Sequence, residues 1–131
     1  MPFLTLEHSD NLIEKPALVG LFQKIHTQLS EELKIPASAF FSSALSHQSY
    51  CTGNDAENSA FVHITFKLMR GRSPEVLHTV AESILTLSKN FLEATAKKFQ
   101  LRMTLEMIEL QRTPVKEGYS LSNQLPISLV F

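Results

Sequence analysis

The hydrophobic period of this chain changes from two to about 3.6 and back to two, and the whole change occurs twice. Residues 2–8 and 60–69 alternate between two faces, as strands do, and residues 39–51 and 101–110 are typical of two further strands. A helical stripe separates the members of each pair. The resulting order, β-α-β followed by β-α-β, predicts an α+β fold (an α/β two-layer sandwich) in which a four-stranded sheet carries two helices on one face.

Both helices have recognisable boundaries in the sequence. The apolar residues of the first follow at intervals of four, three, four and four, at Leu18, Phe22, Ile25, Leu29 and Leu33. Pro36 ends this helix, because a residue that precedes proline is disfavoured in the helical conformation. Ser73 and Pro74 begin the second helix as its N-cap and first residue, and we expect that helix to run to about Phe99.

The length of 131 residues predicts a single domain. Residues 2–58 form the first β-α-β unit, residues 59–113 form the second, and residues 114–131 follow as a tail with an apolar end. We expect this tail to pack in an interface between subunits. The alternative is that the tail folds back on its own subunit.

The sheet face without helices is expected to be partly apolar. It would carry Phe3 and Phe61, together with Phe40 or Phe41. Because an apolar sheet face left in water promotes association, we expect a small symmetric oligomer.

Composition and charge exclude several classes of protein. Hydrophobic residues make up 44% of the chain and the net charge is −1, which argues against a disordered chain and against a basic face for nucleic acid. No apolar run is long enough to cross a membrane, and no signal peptide is recognisable. The single cysteine, Cys51, fits a reducing compartment, so a cytoplasmic protein is expected. The histidines lack metal-ligand spacing, and we expect no metal site.

Pro2 stands directly behind the initiator methionine. If Met1 is removed, Pro2 becomes an N-terminal secondary amine, a group that no internal residue supplies. A desolvated amine loses its proton more easily, and it then acts as a general base near neutral pH. The alternative is an ordinary proline at position 2 with no chemical role.

Several short stretches, taken together, resemble the tautomerase superfamily, and within it the 5-carboxymethyl-2-hydroxymuconate isomerase family. The resemblance covers nearly the whole chain. The stretches that carry it are Met1-Pro2, Ser9-Asp10-Asn11, Gly20-Leu21-Phe22, Phe61-Val62-His63-Ile64-Thr65, Lys67, Gly71-Arg72-Ser73, Glu82 and Ile108-Glu109-Leu110.

This resemblance implies a homotrimer with an active site near each Pro2, close to a subunit boundary. It implies an isomerase of aromatic compound catabolism, which moves a proton between carbons of an unsaturated 2-oxo or 2-hydroxy acid without a cofactor. Pro2 would be the catalytic base, and Arg72 would bind the substrate carboxylate or stabilise the dienolate oxygen. A planar guanidinium suits a carboxylate because two N–H donors match two oxygens. Without the resemblance, Arg72 would equally fit an exposed surface arginine.

Phe41 departs from the family pattern, which has a second arginine at this position. No arginine occurs in this chain before Arg70, so a dicarboxylate substrate would lose one cationic partner. Phe41 would then contact the apolar tail of a monocarboxylate, as in keto–enol tautomerisation of an aryl 2-keto acid. Two alternatives remain: a trimeric ligand-binding protein without catalysis, and a Phe41 that only packs between subunits.

Overall fold

Four strands form one mixed sheet in a computed structural model of the chain, which describes residues 2–55 and 57–110. The strands are β1 (Phe3–Ser9), β2 (Phe41–His47), β3 (Ser59–Met69) and β4 (Gln100–Leu110). Their order across the sheet is β2-β1-β3-β4. Each β-α-β unit contributes a parallel pair, β1 with β2 and β3 with β4, and the antiparallel pairing of β1 with β3 joins the two units. The predicted fold class is confirmed.

Two long helices, α1 (Leu18–Leu33) and α2 (Pro74–Phe91), bury one face of this sheet. Alternate residues of the two central strands supply the sheet side of the core, and none of them exposes more than 1% of its surface: Leu4, Leu6, Val62, Ile64, Phe66 and Leu68. They form one cluster with the apolar stripes of both helices. The buried faces that the period of two gives the strands and the period of 3.6 gives the helices therefore pack against each other in a single layer. In residues 2–55 and 57–110, no helix is both long and apolar enough to cross a membrane.

The second helix is shorter than its sequence predicts. Ser73 caps α2 as expected, with its Oγ accepting a hydrogen bond from the N–H of Val76 at 3.3 Å. The helix then stops at Phe91, and a separate short helix, α3 (Glu93–Lys98), follows Leu92. Leu92 leaves helical geometry, with φ −95° and ψ 22°, while its side chain is fully buried.

A side chain from the loop after β1 stabilises this break. Glu14 accepts hydrogen bonds from the backbone N–H of Thr95 at 3.2 Å and from its hydroxyl at 2.5 Å. The hydroxyl of Thr95 also accepts from the N–H of Ile13 at 2.9 Å. A carboxylate at a helix N-terminus satisfies donors that the helix itself leaves free. The prediction of one continuous helix to Phe99 was wrong because this contact comes from a residue about 80 positions away.

The second strand is also shorter than predicted: it spans Phe41–His47 and not residues 39–51. Residues Ala37–Ala39 form a 3₁₀ turn after Pro36, and Phe40 then turns its ring into the core, where 6% of its surface is exposed. Pairing begins only at Phe41, whose N–H donates to the carbonyl of Pro2 at 3.1 Å. Phe40 therefore does not belong to the open face of the sheet, which was one of the two options.

The open face keeps several apolar side chains in solvent in this single chain. Phe3, Phe41 and Leu45 expose 40%, 50% and 51% of their surface. The rings of Phe3 and Phe41 stack with centroids 6.4 Å apart. The predicted tail of residues 114–131 lies outside the described residues.

His26 connects α1 to the edge strand β2. Its Nε2 lies 2.7 Å from the Oγ of Ser42, and its ring stacks on Phe40 with centroids 5.5 Å apart. Burial lowers the pKa of His26 below the usual 6.5, because a partly desolvated ring is less stable when charged.

Acidification is expected to destabilise the fold through His26. Its folded-state pKa lies below its unfolded value, so the unfolded chain binds the proton first as the pH falls. The free energy of unfolding should therefore decrease below pH 6.5 and level off below the folded-state pKa. Urea unfolding at about pH 7.5 and about pH 5.5 measures this loss, and the His26→Gln variant should lose less than the parent chain. Equal losses in both proteins would show that His26 does not contribute.

Candidate functional site

Three chain segments meet at one end of the sheet because of the strand directions. The parallel strands β1 and β2 begin at this end, and β3, antiparallel to β1, finishes there. The register places Phe3 opposite Phe41 on one side and opposite Lys67 on the other. Pro2, the start of β2 and the loop that follows Met69 therefore lie together, although they are distant in sequence.

Pro2 is buried at the start of β1. Its carbonyl accepts the hydrogen bond from Phe41, which fixes the backbone directly after the ring. Side chains alternate along a strand, so Pro2 shares the helix-facing side with Leu4, while Phe3 points to the open face. The buried position is the environment that weakens the proton affinity of an amine.

Arg72 is half-buried in the loop between β3 and α2. Its Nη1 donates to the carbonyl of Met69 at 3.3 Å, and its Nη2 donates to the carbonyl of Leu33 at 3.5 Å. Met69 ends β3 and Leu33 ends α1, so the guanidinium bridges the sheet and the helix layer at the same end as Pro2. Both distances exceed the usual range for N–H···O bonds, so a carboxylate can replace these carbonyls at little cost.

The N-terminus of α2 follows Arg72 directly. The positive end of the helix dipole lies here and stabilises an anion beside it, although Pro74 has no N–H and the N–H of Val76 already donates to Ser73. Glu75 is the one carboxylate in this first turn, and its side chain is exposed. Arg72 and the helix terminus therefore make this end of the sheet suitable for an anionic group.

The ring of Phe41 lies on the open face with Phe3, on the other side of the sheet from Pro2. Within one chain, Phe41 and Pro2 therefore do not line the same side of the sheet, although their backbones are hydrogen-bonded.

Lys67 is a cation that the sequence reasoning did not assign to the site. It is exposed and lies beside Phe3 in the register, so Phe41, Phe3 and Lys67 form one row across the open face. Lys67 could be seen in the sequence as a polar residue of β3, but its position at the Pro2 end of the sheet depends on how β1 and β3 pair. The carbonyls of Leu33 and Met69 were missed as well, because backbone acceptors carry no residue-type signal. Within residues 2–55 and 57–110, no group of three or more His, Cys, Asp or Glu side chains is arranged to hold a metal ion.

Comparison with known proteins gives a consistent assignment. Residues 2–120 match the family described as 5-carboxymethyl-2-hydroxymuconate isomerase. The 5-carboxymethyl-2-hydroxymuconate Delta-isomerase of Escherichia coli is 29% identical over 113 residues, which cover 86% of this chain and 90% of that protein.

Solved structures show the same fold. A 5-carboxymethyl-2-hydroxymuconate isomerase from Deinococcus radiodurans R1 superposes with a TM-score of 0.80 at 26% identity, covering 89% of this chain and 88% of that one. A fused 4-OT protein, described as a symmetric trimer, has a TM-score of 0.68 at 12% identity and covers 93% of this chain and 96% of its own. The second likeness concerns the fold alone.

The family match extends over most of the chain, and the relative and the structures agree with it. The resemblance inferred from the short sequence stretches is confirmed. The chain belongs to the 5-carboxymethyl-2-hydroxymuconate isomerase family, a family of isomerases within the tautomerase fold.

Proposed function

We propose that this chain is a cofactor-independent isomerase whose N-terminal Pro2, freed of Met1, moves a proton within an unsaturated 2-oxo or 2-hydroxy acid. The observation that carries the proposal is a buried Pro2 at the same end of the sheet as Arg72 and the N-terminus of α2. The membership of the chain in an isomerase family supports the reaction type.

In the proposed reaction, the neutral amine of Pro2 removes a proton from a carbon next to the substrate carbonyl. The electron pair of the broken C–H bond delocalises onto the carbonyl oxygen and gives a dienolate. Protonated Pro2 then returns the proton to a carbon further along the conjugated system, which restores the amine. Burial supports this role because it keeps the amine neutral near the working pH.

Arg72 is proposed to bind the substrate carboxylate or to stabilise the dienolate oxygen. Its hydrogen bonds to Leu33 and Met69 hold the guanidinium at the site before substrate arrives, so little side-chain freedom is lost on binding. A charge-assisted pair to a carboxylate is shorter and stronger than these long bonds to neutral carbonyls.

The proposed assembly is a homotrimer in which the open sheet faces are covered. The exposed Phe3, Phe41 and Leu45 support this, because exposed apolar side chains grouped on one face favour association. The fused 4-OT protein with the same fold is described as a symmetric trimer. Assembly would bring Phe41 of one copy toward the site of another.

A second candidate function follows from Phe41 itself. Its ring exposes 50% of its surface and carries no charge where the family has an arginine. Such a surface favours a monocarboxylate with an apolar or aromatic tail, so keto–enol tautomerisation of an aryl 2-keto acid is the alternative to isomerisation of a dicarboxylate.

Replacement of Pro2 by alanine tests the base. Loss of a positioned general base should lower kcat by about 10²- to 10⁴-fold. The assay uses 5-carboxymethyl-2-hydroxymuconate and phenylenolpyruvate, after mass spectrometry has established that Met1 is absent. Pro16→Ala, at the opposite end of the sheet, is the matched control and should keep the parent rate. If the parent chain only matches the buffer rate on every substrate, the protein is a ligand-binding member of the family.

Replacement of Arg72 by glutamine tests the carboxylate contact, with Arg70→Gln as the neighbouring control. Arg70 is exposed, so its loss should leave kcat/KM within about twofold, in line with other surface substitutions. Loss of the charge-assisted bond from Arg72 should lower kcat/KM by about 10- to 150-fold. Equal effects of the two substitutions would mean that Arg72 contributes only to the general charge of this surface.

Phe41→Arg tests the substrate class. A second cation should raise kcat/KM for a dicarboxylate relative to an aryl monocarboxylate, by about 10-fold or more if the arginine pairs with the second carboxylate. The measurement is the ratio of the two kcat/KM values in the variant and in the parent chain. An unchanged ratio would show that position 41 does not face the substrate in the assembled protein.

A further inference from the structure

A groove of about 470 Å³ lies between α1 and the edge strand β2 and extends along β2 from Ser42 to Ser46. It exists because the helix-facing side chains of β2 are small, whereas the same row of β1 carries leucines. The small residues of this row are Ser42, Ala44 and Ser46, and all three line the groove. His8, at the far end of the groove, is six positions along β1 from Pro2, which corresponds to about 20 Å along an extended strand.

The floor of the groove is His8, an imidazole for which the proposed reaction has no use. His8 exposes 3% of its surface and lines the groove. Its Nδ1 lies 2.8 Å from the carbonyl of Ser9, and since a carbonyl only accepts, Nδ1 carries the hydrogen. In the neutral ring Nε2 is then an acceptor, and within residues 2–55 and 57–110 it has no hydrogen-bond partner. A ligand in the groove that donates to Nε2 would therefore gain a hydrogen bond.

The charged groups beside His8, at the Ser46 end of the groove, compensate each other. The Nζ of Lys15 donates to the carbonyl and to Oδ1 of Asp10, both at 3.0 Å, and the Oγ of Ser46 donates to the same Oδ1 at 2.8 Å. An ammonium group has three donors, so one N–H of Lys15 remains for a ligand. The carboxylate of Asp10 disfavours a second anion. The groove therefore does not suit the acids proposed for the site at Pro2.

The remaining wall of the groove is apolar. Leu18, Val19 and Phe22 of α1 line it, and Val19 exposes 66% of its surface. A volume of 300–1,000 Å³ with an apolar lining and few polar groups is typical of small-molecule sites. We propose that this groove binds a small uncharged alcohol with an apolar body, of which phenol is the simplest rigid example, and that its hydroxyl donates to Nε2 of His8. The ring would lie against Val19 and Phe22, and Lys15 supplies a donor at the same end.

The test compares phenol with anisole, which has the same ring but no hydroxyl hydrogen. Titration of the ¹⁵N-labelled full chain with each compound, followed by amide NMR shifts, gives both the affinity and the location. Phenol should shift the amides of Val19, Ala44 and Ser46, and should bind about 2- to 10-fold more tightly than anisole. In His8→Leu, which extends the leucine row of β1, the two affinities should become equal.

A second pair of variants keeps the test independent of His8. Ala44→Leu fills the groove and should abolish binding of phenol, whereas Ala94→Leu, the same change on exposed α3, should leave it unchanged. Pro2→Ala should bind phenol as the parent chain does, which separates this site from the proposed catalytic one. The inference is overturned if phenol and anisole bind equally to the parent chain, if the shifts lie elsewhere, or if no shift occurs up to the solubility of phenol.

Discussion

The antiparallel pairing of β1 with β3 is the contact on which the rest of the molecule depends. It joins the two β-α-β units into one sheet. It also aligns Leu4 with Phe66 and Leu6 with Ile64 in the core. Because the two strands run in opposite directions, the beginning of β1 lies beside the end of β3. Pro2 and Arg72 are 70 residues apart in sequence, and this pairing brings them to one end of the sheet. The core and the candidate site therefore share one structural cause.

The central strands and the helix starts could be predicted from the sequence because one physical rule governs each of them. β1, β3 and β4 each turn one face toward the helices, so their period of two is visible in the sequence. Ser73 and Pro74 mark the start of α2. β2 was predicted poorly because it is an edge strand in which no residue is buried. Because β2 has no buried face, alternation of apolar and polar residues does not show where this strand begins and ends. The burial of Phe40 in the core depends on tertiary packing. The end of α2 has a similar origin, since the Glu14 contact that stabilises α3 arises only in the folded chain.

The residue types of the candidate site could be predicted from the sequence, but the geometry of the site could not. An N-terminal proline behind methionine is visible by inspection, and the loop with Arg72 entered through the resemblance to a family. The positions of the guanidinium, held by two backbone carbonyls, and of Phe41, which faces away from Pro2 within its own chain, required the register and the alternation of β1 and β2. The groove between α1 and β2 shows the same limit. Ser42, Ala44 and Ser46 are unremarkable as a strand sequence, and they leave a space only because a helix lies above them.

In the proposed trimer, Phe41 would couple substrate choice to assembly in a way that an arginine would not. An arginine on the open face that becomes covered by a neighbouring copy leaves an uncompensated charge until a carboxylate binds, and burying such a charge is costly. Its interface would therefore gain stability from an anionic ligand. The ring of Phe41 stacks on Phe3 and needs no counter-ion, so covering it is favourable with or without a ligand. In this chain the open face can associate without a ligand, and in the proposed reaction recognition of the acid is left to Arg72 and the first turn of α2.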